Sequence, residues 1–180
     1  MSVALVRSLL SSFTHLLVEQ DLAVWTEPSV LRILEYLIQF VFHSKPKIRH
    51  AAQRSLAQLA KTIPAACALV LRSCVNKLDS YTGSKEAQVT LHTVSFIRYI
   101  LPHCEVAEVR AGIESLLRVV TLRHTKVTSA ALQALCSVFK QETQLTGEMQ
   151  GQILMVCYLY QGYMYSCIVI EYISIQRYNF

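Results

Sequence analysis

The residues best equipped for chemistry are few, and their spacing argues against an assembled active site. His103 and Cys104 set an imidazole beside a thiol, the pairing that a cysteine nucleophile needs, yet Glu105 is the one nearby carboxylate to orient the histidine. Both residues follow Pro102, so a turn at a helix junction explains them better. Gly83-Ser84-Lys85 matches part of a phosphate-binding loop, in which backbone N–H groups cradle phosphate and lysine neutralises it. The upstream glycine of that motif is absent, and Ser84 reads as a helix cap. The chain has only two aspartates, at 21 and 79, both expected at helix ends. Its six histidines lack metal-ligand spacing. The six cysteines (67, 74, 104, 136, 157 and 167) form no C-x-x-C pair, and four sit in apolar helical patterns, where free Cys behaves as a small hydrophobe. They read as reduced thiols of an intracellular protein. With no G-x-S-x-G, H-E-x-x-H, Walker loop or dinucleotide fingerprint, the expectation is a protein without catalysis, cofactor or metal.

The charge map carries more information. Between Glu35 and Asp79 there is no acidic residue but seven basic ones: Lys45, Lys47, Arg49, Arg54, Lys61, Arg72 and Lys77. The interval from Glu114 to Glu142 holds Arg118, Arg123, Lys126 and Lys140 with no acid. Lys45, Lys47, Lys85, Arg123 and Lys126 fall at turns that open successive helices, and Arg49 lies one turn further in. In a stack of helix pairs such turns align along one edge. A basic ridge of this kind fits a phosphate backbone or an acidic protein partner. It equally fits a solvated rim, and no RNA-recognition motif or stacking-aromatic pattern decides between them.

These turns are set by helices. In Lys45 to Lys61, KPKIRHAAQRSLAQLAK, the residues Ile48, Ala51, Ala52, Leu56, Leu59 and Ala60 form one helical stripe, with Arg49, His50, Gln53, Arg54 and Gln58 opposite. Ser44 is expected to cap this helix, with Pro46 in its first turn. The stripe recurs. Ile48 aligns with Val89 and Val127, Ala52 with Thr93 and Ala131, Leu56 with Ile97 and Leu135, Leu59 with Ile100 and Val138, and Ala60 with Leu101 and Phe139. The offsets, 89 − 48 = 41 and 127 − 89 = 38 residues, are those of HEAT or armadillo units. The fold class expected is therefore all-α, a HEAT/armadillo-like solenoid.

The repeat region is placed at residues 1–154, with pairs at about 28–61, 63–101 and 105–140. Residues 4–20 read as an amphipathic helix without a strong cap, through Leu5, Leu9, Phe13, Leu16 and Leu17. PSVLRILEYLIQFVF (28–42) is apolar nearly all round and is expected to be covered on several sides. At 180 residues with 53% hydrophobic, 16% charged, 5 Gly and 4 Pro, the chain suits long helices with a real core rather than a β-sandwich or a disordered chain. No secretory signal is evident. Residues 155–180 break the pattern: they hold six of the nine tyrosines, with Glu171 and Arg177 their only charged residues. Residues 149–170 carry no charge, a length that nearly spans a bilayer. The interspersed Gln and Tyr favour instead a mobile end outside the repeats, so a membrane contact is not expected.

Three segments resemble a known family. GSKEAQVTLHTVSFIRYILP (83–102), ESLLRVVTLRHTKVTSAALQAL (114–135) and HSKPKIRHAAQRSL (43–56) are similar to parts of the ribosomal RNA-processing protein twelve family, large HEAT-repeat proteins of ribosome biogenesis. The resemblance runs from about Gln20 to Leu154 and covers an inner segment of a much longer protein. It implies a nuclear and nucleolar scaffold without catalytic residues. Such a scaffold would join pre-ribosomal particles and rRNA, support pre-rRNA processing and subunit export, and meet transport factors. Helical periodicity alone also permits a generic protein-binding HEAT module, such as a transport or phosphatase scaffold.

Overall fold

Proline marks where helices begin. Pro28, Pro46 and Pro64 each occupy the first helical turn, where a missing N–H costs no hydrogen bond. A computed structural model describes residues 2–20, 23, 25, 27–82, 87–122, 124–140 and 145–160. Among these lie eight α-helices and no strand: α1 (Val3–Val18), α2 (Pro28–Gln39), α3 (Pro46–Thr62), α4 (Pro64–Asp79), α5 (Ala87–Ile100), α6 (Val106–Thr121), α7 (Thr125–Lys140) and α8 (Gly147–Leu159). Short 3₁₀ turns at Phe40–Phe42 and Leu101–His103 finish α2 and α5. Pro102 lies in the second of these, two residues beyond the last α-helical residue, Ile100.

Connections are tight. Ile63 alone separates α3 from α4: its extended backbone (φ −132°, ψ 104°) ends one helix and starts the next, and its N–H donates to Leu59 O at 2.8 Å. So short a link reverses the chain, and packed neighbours joined this way run antiparallel. Alternate helices therefore run parallel. The result is two layers, α1-α3-α5-α7 and α2-α4-α6-α8; each helix packs on its layer neighbours, and α2 through α8 also pack on the facing layer. This is the all-α solenoid that the recurring stripe predicts.

The stripe residues fill the space between the layers. Ala52, Leu56, Leu59, Thr93, Ile97, Ile100, Leu101, Val127, Ala131, Leu135 and Val138 are all buried. Val89 is half-buried, and Phe139, at the end of its row, is 40% exposed. Full burial of each Leu or Ile contributes about 1.5–3 kcal/mol, and Ala52 and Ala131 let the backbones approach closely. Thr93 fits an apolar row because its hydroxyl donates to Val89 O at 2.9 Å within its own helix.

Four local expectations are corrected. In α1 the face against α3 is Val6, Leu10, Thr14 and Leu17, whereas Leu5, Leu9, Phe13 and Leu16 lie outward. The helix is apolar on two sides, and the buried one includes a threonine, whose Oγ1 donates to Leu10 O at 2.7 Å. The start of α1 is capped after all, since Ser2 Oγ accepts from Leu5 N at 3.2 Å. Helix α2 buries only Val30, Leu34, Leu37 and Ile38; Arg32, Glu35, Tyr36 and Gln39 form a polar row that suits solvent. Lys45, not Ser44, is the N-cap of α3, and no side chain caps it.

Candidate binding surface

Lys45 and Lys47 open α3, Lys126 opens α7, and all three side chains are exposed. Because α3, α5 and α7 run parallel in one layer, these lysines share an edge. With α5 between them and about 8–10 Å per helix pair, the two clusters stand roughly 20 Å apart. Neither α3 nor α7 has an acidic residue in its first turn, so the positive helix ends reinforce the lysines. Lys85 and Arg123 lie outside the described residues.

Arg49 does not join this edge. It is 6% exposed, and its Nη1 donates to His43 O at 3.1 Å and Ser44 O at 3.3 Å. The guanidinium thus takes up carbonyls left open where the 3₁₀ turn gives way to α3. Its Nη1 is spent on the chain's own backbone, while its buried Nε finds no hydrogen-bond partner among the described residues. This corrects its place on the polar side of the helix.

In the other layer, two arginines of α6 are engaged in structure. Arg118 of α6 donates from Nε to Asp79 Oδ1 at 3.2 Å and from Nη2 to Leu78 O, and Ser115 Oγ donates to the same carboxylate oxygen at 2.8 Å. Asp79 ends α4, where the helix dipole disfavours a negative charge, and Arg118 offsets that. Arg110 of α6 pairs with Glu148 of α8 at 2.9 Å.

Two open grooves lie on the layer that carries the lysine edge, and single-residue reasoning did not find them. One, of about 520 Å³, runs between α1 and α3, with Arg7, Ser11, Arg54 and Gln58 on its walls. The other, of about 600 Å³, runs between α3 and α5, lined by His50, Gln53, Arg54, His92, Phe96 and Tyr99 among others. Neither lining contains an acidic residue. His92 is held below its ordinary pKa by partial burial and by the positive fields of Arg49 and His50, so it is neutral at pH 7. Tyr99 is 60% exposed, with the Arg98 guanidinium 5.4 Å from its ring centre. The signal available in the sequence was the polar row of α3, which continues as Ser95 and Tyr99 on α5.

The cysteines correct a further expectation. Cys67 of α4 and Cys104, after the second 3₁₀ turn, form a disulfide with their Cα atoms 5.8 Å apart. Cys104 therefore offers no thiol beside His103. Cys74 is fully enclosed, and burial pushes its thiol up to about 12. Among the described residues, no three His, Cys, Asp or Glu side chains could together hold a metal ion, and no helix is long and apolar enough to cross a membrane.

The comparison that decides the family follows the same helices. A family model described as "RRP12-like, N-terminal HEAT repeats" matches residues 1–146. The chain belongs to the RRP12-like family. It is 34% identical over 174 residues to an RRP12-like protein of Gallus gallus and 35% identical over 172 residues to one of Homo sapiens, each alignment covering 88% of this chain. An RRP12-like protein of Drosophila melanogaster is 22% identical over 184 residues. The chain spans about 13% of the length of each of these relatives. The matched region takes in α1 through α7, and so both grooves and the described lysines of the edge.

Proposed function

We propose that this chain is a non-catalytic scaffold segment of ribosome biogenesis, working in the nucleus and nucleolus on pre-ribosomal particles. The observation that carries the reading is membership of the RRP12-like family across residues 1–146. Its repeat units are taken as residues 28–61, 63–101 and 105–140, with 155–180 outside the repeat pattern; of these last, 155–159 finish α8 and 161–180 lie outside the described residues. The contact assigned to it is a sequence-tolerant grip on rRNA phosphates through Lys45, Lys47 and Lys126. Among the described residues no carboxylate lies within ion-pair distance of these lysines, so they are available to an outside anion. Lys85 and Arg123 extend the same edge in sequence order.

The test is fluorescence anisotropy with a structured pre-rRNA segment at two salt concentrations. Phosphate contacts release counterions, so log affinity should fall against log salt with a slope of roughly 0.7 per contact for a single strand. Reversing Lys45, Lys47 and Lys126 to Glu should abolish binding and leave the helical signal intact, because solvated charges contribute little to stability. Absence of binding at low salt, or binding unchanged by the triple reversal, removes RNA from this edge.

A second reading has one observation in its favour. The groove between α3 and α5 sets the Tyr99 ring and Phe96 beside Arg54, a mixture suited to an extended protein segment with acidic residues. Recovery of protein partners that survives RNase and is lost with Tyr99→Ala would favour this generic protein-binding module over the rRNA contact.

A further inference from the structure

Helix α8 is the most lightly held of the eight. It buries only Met149 and Ile153, while Leu154, Met155, Tyr158 and Leu159 are exposed. Thr146 caps its start, and the Arg110–Glu148 pair ties its first turn to α6. Toward its other end the tie is of a different kind. Cys157 Sγ lies 3.6 Å from Cys136 Sγ of α7, and both side chains are half-buried.

The remaining described cysteines have no such setting. Cys67 and Cys104 are already joined, and Cys74 is sealed in the core with its thiol held protonated by burial. At Cys157 the hydrogen bond from Cys136 outweighs partial burial and brings the thiol down to about 7. A large share is then thiolate at neutral pH, the form that reacts. Low pKa, partial access and an adjacent second sulfur are what a redox-reactive pair requires.

We infer that Cys136 and Cys157 form a peroxide-reactive oxidation site that closes as a disulfide and fastens α8 to α7. The Cys157 thiolate attacks one oxygen of hydrogen peroxide; an S–O bond forms and the O–O bond breaks. The products are a sulfenic acid and hydroxide, which takes up a proton to become water. Cys136 then attacks the sulfenic sulfur: the S–S bond forms, the S–O bond breaks, and the departing hydroxide leaves with the Cys136 proton as a second water. Two thiols are oxidised and one peroxide is reduced. The sulfurs need to close from 3.6 Å to a bond length of about 2 Å, a movement small enough for rotamer adjustment in a lightly packed helix.

The test uses the whole chain without substitution, treated with a small excess of hydrogen peroxide, alkylated, digested and read by mass spectrometry. The expected product is a linked peptide pair carrying Cys136 and Cys157, reversed by dithiothreitol, with Cys74 alkylated only after unfolding. Amide exchange across Gly147–Leu159 should slow in the oxidised protein. Cys136→Ser should leave Cys157 as a sulfenic acid that dimedone traps. Cys157→Ser should slow thiol loss on the order of tenfold, the drop in thiolate between a thiol near 7 and an ordinary one near 8.5. The inference is overturned if Cys157 oxidises without linkage to Cys136 or links to Cys167 instead. It is also overturned if the pair reacts no faster than Cys74, or if exchange in α8 is unchanged. The unsubstituted chain alone gives these readouts, so the result stands even where a serine variant folds poorly.

Discussion

Replacing Gly112 by alanine tests the tightness of the contact between α6 and the 3₁₀ turn that finishes α5. Gly112 is buried within α6, and a β-carbon built there would stand 2.7 Å from Leu101 Cδ2 and 3.6 Å from Leu71 Cδ1. Two effects oppose each other. Alanine in a helix interior is favoured over glycine by about 1 kcal/mol. Against this, the new methyl must displace Leu101, which is 0% exposed, in a core where overpacking costs about 1–3 kcal/mol. The clash should win, giving a net loss of about 1 kcal/mol and a fall in Tm of about 2–4 °C for a chain of this size. Urea unfolding followed by far-UV circular dichroism measures it, together with Leu101→Ala and the double variant. Leu101→Ala alone should cost about 2–5 kcal/mol, but it also removes the atom that the new methyl meets. The double variant should therefore be less damaged than the sum of the singles by about 2 kcal/mol, the full clash before the helix gain is subtracted, well beyond the 0.3–0.5 kcal/mol scatter of independent sites. Strict additivity, or a Gly112→Ala protein more stable than its parent, would refute the reasoning.

Two further perturbations follow from the same core. Ala52→Asp places a carboxylate at a position that is 0% exposed in the α3 stripe, so thermal unfolding should show a loss of several kcal/mol, or no folded protein at all. A melting temperature equal to the parent's would contradict that burial. Reduction of Cys67–Cys104, which spans 37 residues of sequence, should lower stability by up to about 4 kcal/mol through the entropy returned to the unfolded chain; denaturant curves with and without dithiothreitol read this directly.

Sequence periodicity located the layer that matters most. The stripe at Ile48, Val89 and Val127 is legible because a helix packed on both a layer neighbour and a facing helix must keep one row apolar. Three such helices stack in order, with α3 on α5 and α5 on α7. Periodicity failed where a helix is apolar on more than one side. In α1, size and hydrophobicity pick Leu5, Leu9 and Phe13, while the buried row tolerates Thr14 because its hydroxyl bonds within the helix. Arg49 was misread for the opposite reason. A guanidinium looks solvent-bound in any one-dimensional pattern, and only the close approach of the His43 and Ser44 carbonyls shows that it faces in. The Cys67–Cys104 disulfide was invisible as well, since it joins residues from separate elements that no short spacing connects. The candidate lysine edge, which stands as a proposal, was drawn from the sequence by the rule that turns of a regular stack repeat in space. The grooves were not, because each needs residues from two helices some 40 positions apart, as Arg54 and Tyr99 are (99 − 54 = 45).

The bonds from α6 to Asp79 and to Glu148 lie entirely in the layer of α4, α6 and α8, whereas the two larger channels lie in the layer of α1, α3 and α5 and a smaller one, of about 210 Å³, lies between α4 and α6. Each of these bonds joins a fixed residue of α6 to a fixed residue of a neighbour, so α6 cannot slide along α4 or α8 without breaking one of these ion pairs. Such pairs act as register pins: they set where along its neighbours α6 sits, which apolar packing alone leaves loosely specified.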